Sequence, residues 1–186
     1  MPRIFPVLFV FLPLFFALPA FCGEVDDDGE AEERRPTVDD IPIALAKAQV
    51  GDWASYKTAE GKLKRLTVVE RWNEHNDDHL VIQSTLERER KKRSTSSFEQ
   101  VSVKDHIAQL RDLGPDDYLE YRQVLVNGKK IPCVVINYRE DGVLVRQSYL
   151  SSKVPVYGLV RGVVIEGRNR TNVLTLEDYD FADDFE

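Results

Sequence analysis

Two histidines and two carboxylates lie close together in the segment His75–His79, which reads HNDDH. Imidazole and carboxylate groups are the side chains that bind zinc and other divalent cations. On a helix this spacing would place both rings on one face, but a composition rich in Asn and Asp is typical of a turn between strands. A third imidazole could come only from His106. We therefore predict a solvated turn at this segment, with no metal site and no cofactor.

Cys133 is the candidate nucleophile in the folded part of the chain. It lies in the apolar segment IPCVVI, between Ile131 and Val135 on the same face of a predicted strand. A catalytic thiol needs a partner base and surroundings that lower its pKa, and an apolar strand supplies neither. The sequence also has no Gly-x-Ser-x-Gly motif and no glycine-rich phosphate loop. We predict that Cys133 packs in the core and that the protein is not an enzyme.

One dense run of basic residues could bind a partner. Because Glu87 and Glu89 dilute it and no aromatic residues interleave with it, single-stranded nucleic acid is not the predicted partner. We predict a solvated hairpin tip, with contact to an acidic partner protein or to anionic lipid head groups as the functional alternative. The candidate partner-binding residues are Arg88, Arg90, Lys91, Lys92 and Arg93.

The overall balance of charge supports the exclusion of nucleic acid. The chain has 186 residues, with 25 Lys and Arg against 32 Asp and Glu, and a formal net charge of −7. A nucleic-acid-binding protein usually carries a basic face.

The apolar and the acidic residues occupy different parts of the chain. An uncharged apolar run from Ile4 to Phe21 follows Arg3, which predicts a secretory signal peptide over residues 1–22. The alternative is an uncleaved membrane anchor, although three prolines interrupt the run. We predict an acidic disordered linker over 23–40, a single β-rich domain over 41–180 and an acidic tail over 181–186. The predicted location is periplasmic or extracellular, with no stable membrane span once the signal is cleaved.

Strand signals dominate the predicted domain. The pairs Asn127-Gly128 and Asp141-Gly142 are typical of two-residue hairpin turns, and a longer loop over Gly167–Thr171 is predicted between the last two strands. A first short helix is predicted over Ile41–Gln49, capped by Asp39 or Asp40, and a second after Ser102. The pattern predicts a mainly β domain of about eight antiparallel strands, in a sandwich or barrel, with one or two short helices.

Two stretches carry a resemblance to known proteins. Gly51-Asp52-Trp53 is similar to the start of the first strand in uncharacterised exported bacterial β-rich proteins. The stretch from Ser148 to Val160 resembles a strand–loop–strand unit of those proteins and of the periplasmic lipoprotein-carrier superfamily. The resemblance implies a strongly curved antiparallel half-barrel, whose concave side holds acyl chains in the carriers.

These observations predict an exported, non-enzymatic binding module. Its ligand would be an apolar molecule or a lipidated partner. The alternative is a structural or interaction protein of the bacterial envelope that has no small-molecule ligand. The two hypotheses differ in whether the curved sheet encloses an unfilled apolar cavity.

Overall fold

The computed structural model describes residues 34–88 and 93–182. The predicted signal peptide, the linker up to residue 33 and the tail from residue 183 lie outside the described residues, as do Arg90, Lys91 and Lys92 of the basic run.

Nine antiparallel strands form one curved, unclosed sheet. The prediction of a mainly β fold with a curved antiparallel sheet is therefore confirmed. The strands lie in the order β4-β3-β2-β1-β9-β8-β7-β6-β5, so β4 and β5 form its edges. Their bounds are β1 Trp53–Thr58, β2 Leu63–Glu74, β3 Asp77–Arg88, β4 Arg93–Ser102, β5 Tyr118–Val126, β6 Lys129–Glu140, β7 Val143–Leu150, β8 Leu159–Glu166 and β9 Asn169–Asp180.

Two-residue turns join several neighbouring strands. Asn127 and Gly128 have φ of 47° and 79°, and Asp141 and Gly142 have φ of 50° and 76°. Positive φ at both positions is the requirement of the type I′ turn, whose twist matches that of the flanking strands. Both predicted hairpins are confirmed.

The helix predicted after Ser102 is present as α1, Val103–Arg111. The Ser102 hydroxyl accepts a hydrogen bond from the backbone amide of Asp105 at 3.1 Å, which satisfies one of the free N–H groups of the first turn. Val103 is buried, and Ile107 packs against the same core cluster. This short helix is therefore held mainly by its packing and its cap.

The helix predicted over Ile41–Gln49 is wrong, because only a 3₁₀ turn, Ala44–Lys47, forms there. Arg71 of β2 donates hydrogen bonds to the carbonyls of Ala46 and Ala48, which fastens this segment to the sheet. Ordered structure also begins within the predicted linker.

A second 3₁₀ turn, Val38–Asp40, lies at the end of that predicted linker. Asp40, one of the two predicted caps for the helix, instead accepts hydrogen bonds from the amide and hydroxyl of Thr37 at 2.7 and 2.8 Å. It therefore caps this earlier turn.

The last hairpin is tighter than predicted. β9 begins at Asn169, so Gly167 and Arg168 alone form the turn in place of the predicted five-residue loop. At its other end β9 continues to Asp180, which pairs with Trp53 of β1. The amide of Ala182 then donates to the buried carboxylate of Asp52 at 2.7 Å, so the start of the predicted tail is held against the domain.

Segments outside the sheet contribute to its core. Leu45 and Ala48 precede β1, and Val154 and Val156 lie in the loop between β7 and β8. All of them share a buried cluster with sheet residues such as Tyr56. These segments of the protein's own chain therefore cover part of the sheet.

The sheet curves strongly toward its β5 edge. The Asn127 side chain, at the tip of the β5–β6 hairpin, donates a hydrogen bond to the backbone carbonyl of Glu177 in β9. Three strands, β6, β7 and β8, separate β5 from β9 in the sheet order. The tip can reach β9 only because the sheet bends back on itself, and this bend shapes the groove described below.

Candidate anion-binding groove

The HNDDH segment is a turn, as predicted, followed by the start of β3. His75 and Asn76 have φ of 51° and 59°, and the ring of His79 stacks on Trp72 at a centroid distance of 5.4 Å. Asp78 forms a 2.7 Å ion pair with Arg71, which also donates hydrogen bonds to the carbonyls of Ala46 and Ala48. The side chains of Asp78 and His79 are thus held in place by neighbouring residues.

Asp77 serves the helix in the same way. Its carboxylate accepts hydrogen bonds from the Ser102 hydroxyl at 2.5 Å and from the Lys104 amide at 3.1 Å. The hydrogen bond from Ser102 is the main cause that lowers the pKa of Asp77. The charged carboxylate therefore fixes the start of α1 beside β3. Within residues 34–88 and 93–182 no group of three or more His, Cys, Asp or Glu side chains is arranged to hold a metal ion.

Cys133 lies in the core of β6, as predicted, with 4% of its surface exposed. Burial raises the pKa of its thiol to about 11. At neutral pH the group is therefore a protonated, apolar packing residue.

The basic run is placed only in part. Arg88 of β3 pairs with Arg93 of β4, and this is the last described pair before residues 89–92. The other three candidate residues, Arg90, Lys91 and Lys92, lie outside the described residues. The proposed partner-binding role of the run stays a prediction.

A different set of basic residues converges on a groove beside β5. The groove has a volume of about 440 Å³, within the range of small-molecule sites. Its lining comes from four strands that are far apart in sequence. The lining residues are Tyr118, Glu120, Arg122, Gln123, Val124 and Leu125 of β5, Leu144, Gln147 and Tyr149 of β7, Arg161 of β8 and Arg170 of β9.

Strand register brings several of these side chains to one face. Glu120 lies opposite Val135, Val135 opposite Tyr149, and Tyr149 opposite Arg161. Because directly opposed residues of antiparallel strands project to the same side, this row crosses the groove from β5 to β8. The bend of the sheet gives the row its concavity.

A hydrogen-bond network connects the groove lining to the interior. Gln147, which lines the groove, donates a hydrogen bond at 2.6 Å to the fully buried Asn137. The hydroxyl of Tyr149, another lining residue, donates to the side-chain amide oxygen of Gln147 at 3.4 Å. Such a network holds its members in fixed orientations, since each buried polar group needs its partner. Gln147 and Tyr149 therefore give the groove a polar, ordered wall.

Three arginines give the groove its charge. Arg122 is paired with Glu120 at 3.0 Å, and this carboxylate raises the pKa of the guanidinium. Within the described residues neither Arg161 nor Arg170 has a carboxylate partner. Against one carboxylate, three guanidinium groups leave an excess of positive charge in an otherwise acidic protein.

Arg161 is the most informative of the three. Its Nε is buried and has no hydrogen-bond partner in the part of the chain that the structure describes. Its guanidinium lies 5.7 Å from the centroid of the Tyr149 ring. Because Arg161 lines the groove and its guanidinium has several N–H donors, an anion there could accept hydrogen bonds from it.

This groove was not predicted from the sequence. Arg122, Arg161 and Arg170 form no local motif, and only the register of four strands unites them. One usable signal was the alternation of Glu120 and Arg122 with apolar neighbours on a predicted strand, because it puts charge on one face.

Two further cavities are less suited to a ligand of the predicted kind. An apolar cavity of about 190 Å³ lies between the segment around the 3₁₀ turn Ala44–Lys47, the β7–β8 loop and Phe181. This volume is smaller than that of typical ligand sites. A polar one of about 410 Å³ lies beside α1, where His106 and Tyr157 have ring centroids 5.3 Å apart. Partial burial lowers the pKa of His106, which favours a neutral ring at neutral pH.

No family model matches the chain, and no curated protein matches it. Among solved structures, a protein of Bacteroides fragilis described as a "putative exported protein with YmcC-like fold" is similar, with a TM-score of 0.47 and 11% identity. The alignment covers 75% of this chain and 98% of that chain. Export and similarity to the lipoprotein carriers both stay predictions from the sequence. No residue role is carried over.

In the described part of the chain, no helix has the length and apolar character needed to cross a bilayer.

Proposed function

We propose that this protein is an exported, non-enzymatic binding module whose groove beside β5 takes an anionic ligand. The observation that carries the proposal is Arg161, which lines the groove and has no carboxylate partner in the described residues. Export rests on the apolar run at the start of the chain. A ligand with two or more carboxylate or phosphate groups fits best, because it could contact Arg161 and a second arginine together.

An apolar ligand or a lipidated partner fits the geometry less well. Val154, Val156 and Leu45 are fully buried and pack in the cluster that a carrier would leave open for an acyl chain. The described apolar cavity of about 190 Å³ lies below the usual size of ligand sites. Because the apolar cluster is filled, a role in binding other proteins is favoured over a role in carrying an apolar ligand. The unpaired edge of β5 also supports the protein-binding role.

The binding proposal is tested by titrating the purified protein with citrate while amide chemical shifts are followed by NMR. We expect saturable shifts confined to the groove-lining residues of β5, β7, β8 and β9. Sodium chloride at equal ionic strength is the control and should give small, unsaturated changes. Equal responses to the two salts would contradict the proposal. Saturable binding of a fluorescent fatty acid, with no response to citrate, would instead favour the apolar ligand.

A further inference from the structure

β5 is an edge strand whose backbone groups can be assigned a direction. The two-residue turn at Asn127 and Gly128 makes Val126 and Lys129 a hydrogen-bonded pair. Since such pairs alternate along antiparallel strands, the even-numbered residues of β5 bond to β6 and the odd-numbered ones face away. Pro132 agrees with this phase, because it has no N–H and lies opposite the odd-numbered Gln123.

The outward backbone groups form a continuous free edge. They belong to Leu119, Tyr121, Gln123 and Leu125, and within residues 34–88 and 93–182 no strand pairs with this side of β5. Unpaired N–H and C=O groups in a row are a template for another strand. Tyr121 and Leu125 are also 46% and 65% exposed, which is unusual for large apolar side chains at an unpartnered edge.

The arginine groove continues around this edge. Gln123 and Leu125 line it together with Glu120 and Arg122. Successive side chains of a strand point to opposite faces, so both sets can line one groove only if it passes the edge of the strand. A ligand in the groove therefore has access to the free backbone groups of β5.

We propose that an extended acidic segment of a partner protein pairs with β5 as an additional strand. Alternate side chains of that segment would lie on the groove face next to Arg122, where the excess positive charge of the groove selects carboxylates. The intervening side chains would lie beside Tyr121 and Leu125, which selects apolar residues. This inference rests on the proposed anionic ligand and identifies its class.

The test uses a fluorescent peptide of alternating glutamate and valine and the wild-type protein. We expect saturable binding, and at least tenfold weaker binding of the matched peptide with lysine in place of glutamate. Two further peptides carry N-methyl groups on alternate amides, in the two opposite phases. One should bind like the parent and the other at least tenfold more weakly, because only one set of amides can face β5. Equal binding of both methylated peptides, or no binding of the parent, would overturn the proposal.

A variant pair gives the same test from the protein side. Tyr121→Pro removes an outward N–H without removing a bond to β6, whereas Tyr121→Val keeps that N–H, and Tyr121 lies outside the groove lining. We expect the proline variant to lose peptide binding and to retain the citrate response, and the valine variant to retain both. Peptide binding by a wild-type protein that gives no citrate response would contradict the anion site and leave edge pairing standing. Self-association abolished by Tyr121→Pro would assign the edge to a second copy and overturn the proposal.

Discussion

Gly158 lies where the loop between β7 and β8 turns back onto the sheet. Its φ is +68°, and an added Cβ would lie 2.9 Å from the Ser151 carbonyl oxygen and 3.0 Å from the Ala44 side chain. Nearby, Val156 also has a positive φ of 63° while its side chain is fully buried. Positive φ is unfavourable for a β-branched residue, so core packing holds this loop in a strained form.

Gly158→Ala should therefore destabilise the fold more than the same substitution at a turn glycine with open space around it. Gly61 is the matched control, since it has φ +75° and an added Cβ would meet nothing within 4 Å. We expect Gly61→Ala to cost only the roughly 1–2 kcal/mol of the left-handed conformation, and Gly158→Ala about 1 kcal/mol or more beyond that. Urea unfolding of both variants measures the difference. Equal free energies of unfolding would show that the close approach at Gly158 is absent.

At the scale of the element, the start of helix α1 is held by a carboxylate from strand β3. Asp77 of β3 accepts hydrogen bonds from Ser102 and from the amide of Lys104, and its pKa lies below the ordinary value of 3.8. A carboxyl group with a lowered pKa in the folded state stabilises it above the unfolded pKa. That contribution is lost as the pH falls through the folded pKa.

Asp77→Asn should consequently destabilise the protein at pH 7, with a deficit that shrinks as the pH falls below about 4. Urea unfolding at pH 7, 5 and 3 measures this dependence. Asp116→Asn is a matched control at an exposed carboxyl, for which we expect little effect at any of these pH values. A deficit in Asp77→Asn that does not change with pH would mean that its charge is not what holds the helix.

The elements were predictable where local chemistry determines them. Asn127-Gly128 and the Ser102 cap act within a few residues, so the sequence pattern identified both. In place of the first helix a 3₁₀ turn forms, and Arg71 of β2 binds the segment from a distant position that no local pattern reveals. The groove was hidden for a related reason, since Arg122 and Arg161 meet only through the register of β5 to β8 and the bend of the sheet. Sequence pattern predicts strand and turn but not which distant strands face each other.

At the scale of the whole molecule, the bend of the sheet sets the shape of the site. The hydrogen bond from the Asn127 side chain to the Glu177 carbonyl fastens the β5–β6 hairpin to β9. The same residue forms the turn, so its two roles must be separated. Glycine is accepted in a type I′ turn but has no side chain to reach β9.

Asn127→Gly should therefore keep the hairpin and loosen the groove. We expect a loss of about 1 kcal/mol in the free energy of unfolding, the usual value of one such hydrogen bond, and faster exchange of the β5 amides with deuterium. Asp141→Gly is the matched control, because its turn has the same φ values and it forms no side-chain hydrogen bond in the described residues. Unchanged exchange in β5 would contradict the view that this contact holds the bend.

The binding of an anion by Arg161 is the central claim, and calorimetric titration with citrate tests it most directly. Wild-type protein, Arg161→Gln and Arg168→Gln are compared, the last losing the same charge at an exposed turn outside the groove lining. Loss of a charged hydrogen bond costs about 1.5–3 kcal/mol, so Arg161→Gln should bind roughly 10- to 100-fold more weakly while Arg168→Gln binds like wild type. Equal affinity in all three proteins would contradict the proposed site.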